Sequence, residues 1–202
     1  MIDLEKQARI WIIRINRPEK ANSLTKGMLE KIGDIVVRAT DVHAVILTGC
    51  GDVFSAGADL REVKAGLAKS KLWEQISKEI TKLECLTIAA INGTIAGGAF
   101  GMALACDLRI ATPNANFFYP VMKLGFLPQP SDPKRLSNLV GPAKAKLILM
   151  GGQVLSADEA LAIGLVDRLY KNETLLSKTL DIASHAKNAN IGHVKAIKRM
   201  FP

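Results

Sequence analysis

The sequence predicts an α/β fold in which short buried strands, paired largely in parallel, alternate with amphipathic helices. Three observations predict it. Strand-type and helix-type hydrophobic periods follow one another along the chain. Glycine-bearing turns stand directly after strand segments. No low-complexity linker or strong internal repeat divides the chain. With 202 residues, 49% of them hydrophobic, it can bury one substantial core, so a single domain over 1–202 is expected.

Arg9 to Ile15 is rich in β-branched and aromatic residues and stops at Asn16-Arg17-Pro18, as a strand entering a turn does. From Leu24 onward, Met28, Leu29, Ile32, Ile35 and Val36 recur at helical spacing, and Ala44 to Thr48 is a short apolar run closed by Gly49. Leu72, Trp73, Ile76, Ile80 and Leu83 mark a second helix, which leads into a buried strand at Thr87 to Ile91. An apolar stretch runs from Gly98 to Cys106, a strand follows at Asp107 to Ala111, and from Phe117 the chain turns irregular and proline-rich. Ser156 with Glu159 reads as a capping box opening a helix that carries Ala160, Leu161 and Ile163 and stops at Gly164. Thr174 to Met200 reads as two helices separated near Asn188 to Asn190. This pattern suits a doubly wound sheet and a spiral equally.

The net charge of +8 suits an anionic partner, but the basic residues are scattered singly or in pairs. A small phosphorylated ligand therefore fits better than nucleic acid. Cys50, Cys85 and Cys106 form no CxxC and sit among apolar or small residues, which reads as reduced core thiols. His43, His185 and His193 show no ligand spacing, so no metal site is expected. The start of the chain lacks a secretory pattern and no apolar run reaches a membrane span, making a reduced cytoplasm the expected setting and a membrane partner unexpected.

The most informative segment is Ile91-Asn92-Gly93-Thr94-Ile95-Ala96-Gly97-Gly98-Ala99-Phe100-Gly101-Met102, with glycines between a strand and an apolar helix. The spacing is wrong for GxGxxG, and no GxxxxGK[ST] occurs, so both nucleotide-loop readings fall. What remains is a turn whose free N–H groups suit an oxygen that gains negative charge, or one that merely permits tight packing. A second glycine turn, Ser55-Ala56-Gly57-Ala58-Asp59-Leu60, follows the strand ending at Gly49. Two such turns after adjacent strands could aim two N–H groups at one oxyanion.

The ordered set Asn16-Arg17-Pro18, Asn22-Ser23-Leu24, Ser55 to Leu60, Asn92-Gly93 with Gly97-Gly98, and Cys106-Asp107 resembles the crotonase (enoyl-CoA hydratase/isomerase) superfamily. The resemblance covers nearly the whole chain. It implies a spiral of ββα turns that binds acyl-coenzyme A, with a C-terminal helical region shortened by the close at Phe201-Pro202. It assigns the thioester oxygen to the N–H groups of Ala58 and Gly98, where removing one donor typically costs about 2.7–4 kcal/mol of barrier. A side chain at Gly98 would obstruct the thioester. The same carry-over puts Glu19, Lys20 and Ala21 beside the pantetheine and phosphates, and Ala56, Asp59 and Leu60 around the adenine, with Gly97 in the donor turn. It implies no cofactor other than the coenzyme A of the substrate, and a homo-oligomer, trimer or hexamer.

The departure is in the acids. The two hydratase glutamates would fall at Gly101 and Val121, and neither residue can transfer a proton. The loop after Gly125, where isomerases and hydrolases of the superfamily carry a carboxylate, holds only Asp132. Asp132, Tyr119, Lys123 and the more distant Glu62 are thus the proton-transfer candidates, each with a bland packing or surface alternative. Three functions follow: an enzyme that stabilises a thioester enolate, an acyl-CoA binder without turnover, and a nucleic-acid-associated member. A Clp-type protease is set aside because no serine stands at the helix mouth near Gly98.

Overall fold

Buried β-branched runs set the frame of the computed structural model, which describes residues 1–201; Pro202, where the expected domain closes, lies outside the described residues. The main sheet contains β1 (Ile2–Gln7), β2 (Ile10–Ile15), β3 (Ala44–Gly49), β5 (Leu86–Ile91), β7 (Leu108–Ala111) and β10 (Arg168–Leu169), adjacent in that order. A smaller sheet orders β4 (Val53–Ser55), β6 (Thr94–Ala96), β8 (Asn116–Phe118) and β9 (Leu155–Ser156). Pairing is parallel except in the β1–β2 hairpin and between β8 and β9.

The helices are α1 (Lys26–Val37), α2 (Leu60–Lys64), α3 (Leu72–Lys82), α4 (Gly98–Leu104), α5 (Val121–Leu124), α6 (Asp132–Leu149), α7 (Ala157–Ala162), α8 (Asn172–Asn188) and α9 (Ile191–Lys198). Each of β3, β5 and β7 is followed by a short strand of the smaller sheet and then by helix, giving three successive ββα turns. That decides between the two architectures the sequence left open. The molecule is the spiral.

The alternation along each main strand explains the layers. Ile13, Ile15, Val45, Leu47 and Ala89 face a core built with Leu29, Ile32, Trp73, Ile76 and Phe100 of α1, α3 and α4. Ile12, Ile46, Ile88, Ala90 and Ile110 face the other way, onto Leu175 and Ala183 of α8. Two motif asparagines stitch one ββα turn to the next. Asn22 donates from Nδ2 to the carbonyls of Cys50 (2.9 Å) and Val53 (2.6 Å). Asn92 accepts from Gly49 N–H at 2.9 Å and donates to Gly51 O at 2.6 Å.

Two expectations change. The segment from Phe117 is not irregular throughout: it forms β8, α5 and then the long α6, whose helical period is broken at Gly141 (φ 77°, ψ 160°) before Pro142. Cys50 is only partly buried, whereas Cys85 and Cys106 are core thiols, with burial pushing each pKa up to about 12. All three cysteines are free, and the Ser156–Glu159 capping box and the two helices either side of Ala189 form as expected.

Candidate active site

β4 and β6 lie side by side and deliver their two glycine turns to one place. Gly57 (φ +89°) and Gly97 (φ +57°) take left-handed backbone that a side chain would strain. They pack backbone to backbone, since a Cβ on Gly57 would lie 3.0 Å from Ala96 O and one on Gly97 3.9 Å from Gly57 Cα. Each is followed by a free amide. Leu24 N–H donates to Gly57 O (2.7 Å) and Asp59 N–H to Leu24 O (2.9 Å), bracketing Ala58 without using its own N–H. Gly98 is the first residue of α4, so its N–H has no partner within the helix either. Ser55 Oγ fixes the first turn by donating to Asn22 O and accepting from Gly57 N–H.

The two amides border a cleft of about 170 Å³ whose wall includes Ala56, Leu60, Gly97, Trp73, Tyr119, Val121 and Gln129. The wall is mostly apolar, as an acyl chain requires. Two of these residues, Trp73 and Gln129, escape a reading of the sequence as site residues. Trp73 is legible there only as a core residue of its helix, and Gln129 carries no signal. Trp73 also supplies the first reason for glycine at 98: a Cβ there would meet the indole at 2.6 Å, before any question of obstructing a thioester.

The proton-transfer candidates separate cleanly. Tyr119, 4% exposed, lines the cleft and donates from its hydroxyl to Asp132 Oδ2 at 2.9 Å. It accepts in turn from Gln129 N–H at 3.3 Å. Asp132 is wholly buried behind Tyr119 and does not line the cleft. Burial raises its pKa to about 6, against the opposing pull of the Tyr119 hydrogen bond and of Arg135, whose Nη1 is 3.6 Å from Oδ1. Burial first, and the Asp132 charge second, push the Tyr119 phenol well above its ordinary value. Lys123 is exposed and outside the cleft wall, and Glu62 is spent on the start of α1, accepting from Lys26 N–H at 2.6 Å. Neither is placed beside Tyr119 and Asp132.

Gly101 is buried and does not reach the cleft, whereas Val121 does. Among the residues expected around coenzyme A, Ala56, Leu60 and Gly97 line the cleft, while Glu19, Lys20, Ala21 and Asp59 do not. The turn at Pro18–Lys20 nonetheless abuts the site, because Ala56 N–H donates to Ala21 O at 2.9 Å. The Asp59 carboxylate is engaged within the fold, where it accepts from Arg17 Nη1 at 2.7 Å and from Arg61 N–H at 2.9 Å, capping α2. The Arg17 hydrogen bond first, and the Arg61 amide next, hold its carboxyl below the usual range.

The family model for enoyl-CoA hydratase/isomerase matches residues 5–202. The chain belongs to that family. Its fold and acyl-CoA chemistry are those of the crotonase superfamily. It is 39% identical over 191 residues to the crotonyl-CoA hydratase of Syntrophomonas wolfei, covering 90% of this chain and 74% of that one. It is 34% identical over 194 residues to the 4-chlorobenzoyl coenzyme A dehalogenase-2 of an Arthrobacter species, covering 90% and 70%. The crystal structure of an enoyl-CoA hydratase from Bacillus anthracis superposes with a TM-score of 0.90 at 30% identity, over 98% of this chain and 81% of that one. Relatives named for different reactions share this scaffold, so the reaction has to be argued from the site itself.

No described helix is long and apolar enough to cross a membrane, and no described group of histidine, cysteine or carboxylate side chains is placed to hold a metal ion.

Proposed function

We propose that this chain transfers a single proton at the carbon next to a coenzyme A thioester, as an isomerase or decarboxylase does, instead of adding water between two acids. The observation that carries the reading is Tyr119, which lines the cleft and whose hydroxyl donates to the buried carboxylate of Asp132. The thioester oxygen sits on the Ala58 and Gly98 amides. The Cα–H bond breaks, its electron pair forms the enolate, and the charge gathers on that oxygen. The released proton passes to Tyr119 Oη as the phenol's own proton moves to Asp132 Oδ2. Returning it to the same or another acyl carbon regenerates Tyr119 and the ionised aspartate. With a pKa of about 6, Asp132 starts ionised at neutral pH, and the raised phenol pKa keeps the tyrosinate from accumulating.

Supporting this, Leu60, Leu124 and Leu127 line the cleft yet stay largely exposed, leaving apolar surface for a pantetheine arm or acyl chain to cover. By family likeness Glu19, Lys20, Ala21 and Asp59 flank the coenzyme, the assembly is a homo-oligomer, trimer or hexamer, and no further cofactor is needed. Acyl-CoA affinity is expected in the micromolar range, about −8 kcal/mol. The test is exchange of the α-protons of butyryl-CoA in deuterium oxide, followed by proton NMR. Enzyme-dependent exchange that Tyr119→Phe abolishes supports the reading. Binding by calorimetry with no exchange makes the chain an acyl-CoA binder, and no binding at millimolar ligand removes the acyl-CoA reading.

A further inference from the structure

The loop 125–130 walls the active-site cleft on one side and a second cavity of about 760 Å³ on the other. Phe126, Leu127 and Gln129 face both. Gly125, Leu127 and Pro130 of this segment are exposed, yet Gln129 N–H must stay on the Tyr119 hydroxyl and α6 must begin where Asp132 meets that same hydroxyl. Phe126 packs against the core, with the Lys69 ammonium 5.7 Å from its ring, and its N–H donates to Val121 O at 3.0 Å. At the other end of the loop Asp132 N–H donates to Gln129 O at 3.0 Å, and α3 adds a side-chain clamp. Glu74, 8% exposed, accepts from Ser131 Oγ at 2.5 Å on Oε1 and from Ser131 N–H at 3.2 Å on Oε2. Ser131 is the residue on which α6 starts, directly before Asp132.

We propose that Glu74 is a positioning residue of this site, clamping Ser131 so that the loop and the first turn of α6 hold Tyr119 and Asp132 in register. The proposal rests on the Tyr119–Asp132 reading. Glu74 is held ionised for this role: burial raises its pKa, but the two Ser131 hydrogen bonds and Lys78, 3.3 Å away, outweigh it and leave it below the usual range. Its neighbour Trp73 packs under Gly98, so one turn of α3 supports both the oxyanion amides and the proton pair. The charged or titratable groups facing Asp132 are Tyr119 from the loop before α5, Arg135 from the next turn of α6, and Glu74 from α3, whose charge works to raise the Asp132 pKa.

The experiment compares Glu74→Ala, Glu74→Gln and Ser131→Ala with the unmodified chain. The readouts are acetoacetyl-CoA affinity, butyryl-CoA α-proton exchange against pH, and amide hydrogen exchange of the 125–131 peptide. Glu74→Ala is expected to slow α-proton exchange about 10–100-fold, as a small misplacement does, with affinity changed less than about twofold and protection of the loop peptide lost. Glu74→Gln, which keeps the shape and loses the charge, should move the midpoint of the exchange profile to lower pH. Ser131→Ala should slow exchange without moving that midpoint. Equal losses in affinity and exchange, or an unchanged loop peptide, would overturn the proposal in favour of a general packing role. If the unmodified chain binds acetoacetyl-CoA but exchanges no α-proton, the Tyr119–Asp132 reading has failed, while the loop peptide still scores the clamp. Should Glu74→Ala not fold, Glu74→Gln and Ser131→Ala decide.

Discussion

A Cβ on Gly101 would stand 2.5 Å from Oδ2 and 2.9 Å from Oδ1 of Asp132. The absence of a side chain on α4 and the presence of a carboxylate on α6 are therefore one arrangement, with each residue occupying the room the other leaves. The family resemblance puts a hydratase glutamate at Gly101, and in this chain the carboxylate of Asp132 fills that volume from another element. Gly101→Ala is expected to cost about 1–3 kcal/mol through overpacking, and Asp132→Gly to make that substitution much less costly. Urea unfolding of both single variants and the pair measures it. Additive losses would show that the two positions do not share space.

On the same geometry the chain is expected to be a poor hydratase of crotonyl-CoA, although a relative 39% identical to it bears the name crotonyl-CoA hydratase. General acids and bases are each worth typically about 10²–10⁴-fold, and Gly101 and Val121 supply neither. Loss of crotonyl-CoA absorbance should be slow with the unmodified chain. Gly101→Glu with Val121→Glu should raise it only when Asp132→Gly is added to clear the space. Hydration by the unmodified chain at an ordinary enzymatic rate would place a water-activating pair elsewhere.

What was legible follows from what reports locally. The strands at Ile10–Ile15 and Ala44–Gly49 and the α1 and α3 stripes show their period within a few residues, and the glycine turns show by composition. α6 escaped because Pro133 at its start and Gly141-Pro142 inside it read as breakers, although proline is tolerated in a first turn and the helix kinks at Gly141 and goes on. The sequence supplied Tyr119 and Asp132 as separate candidates; their hydrogen bond spans 13 residues and forms only when β8 and α6 close on one another. Glu74 had no signal, because a glutamate beside a tryptophan on an amphipathic helix reads as an exposed position until Ser131 is folded onto it.

Asp132 also sets a pH dependence. Its pKa rises from 3.8 in the unfolded chain to about 6 in the folded one, so the folded state holds the proton more tightly. The resulting stability is fully present below pH about 4 and is lost as pH rises through about 6, amounting to about 3 kcal/mol as an upper figure. Asp132→Asn, which can still accept from Tyr119, should remove that component and gain stability relative to the unmodified chain at pH 8 but not at pH 4. Guanidinium unfolding at the two values tests the sign. α-Proton exchange, needing the ionised carboxylate, should rise through the same interval and be lost in the variant.

At Gly98 steric and chemical demands can be separated. A Cβ there would lie 2.6 Å from Trp73 Cδ2, and the indole cannot slide freely because its Nε1–H donates to Leu67 O at 2.9 Å. Gly98→Ala keeps the amide donor, so its cost should be packing alone, about 1–3 kcal/mol of stability, with affinity reduced through displacement of the turn. Trp73→Leu destabilises by itself, but in combination with Gly98→Ala the losses should fall well short of their sum. Gly98→Pro adds the loss of the N–H, and its effect on exchange should reach the 2.7–4 kcal/mol typical of an oxyanion donor, roughly 10²–10³-fold, with no recovery from Trp73→Leu. Circular dichroism and thermal melts establish that each variant is folded before rates are compared. A folded Gly98→Pro protein that exchanges butyryl-CoA α-protons at the unmodified rate would remove the Gly98 amide from the reaction and leave the glycine there for the indole alone.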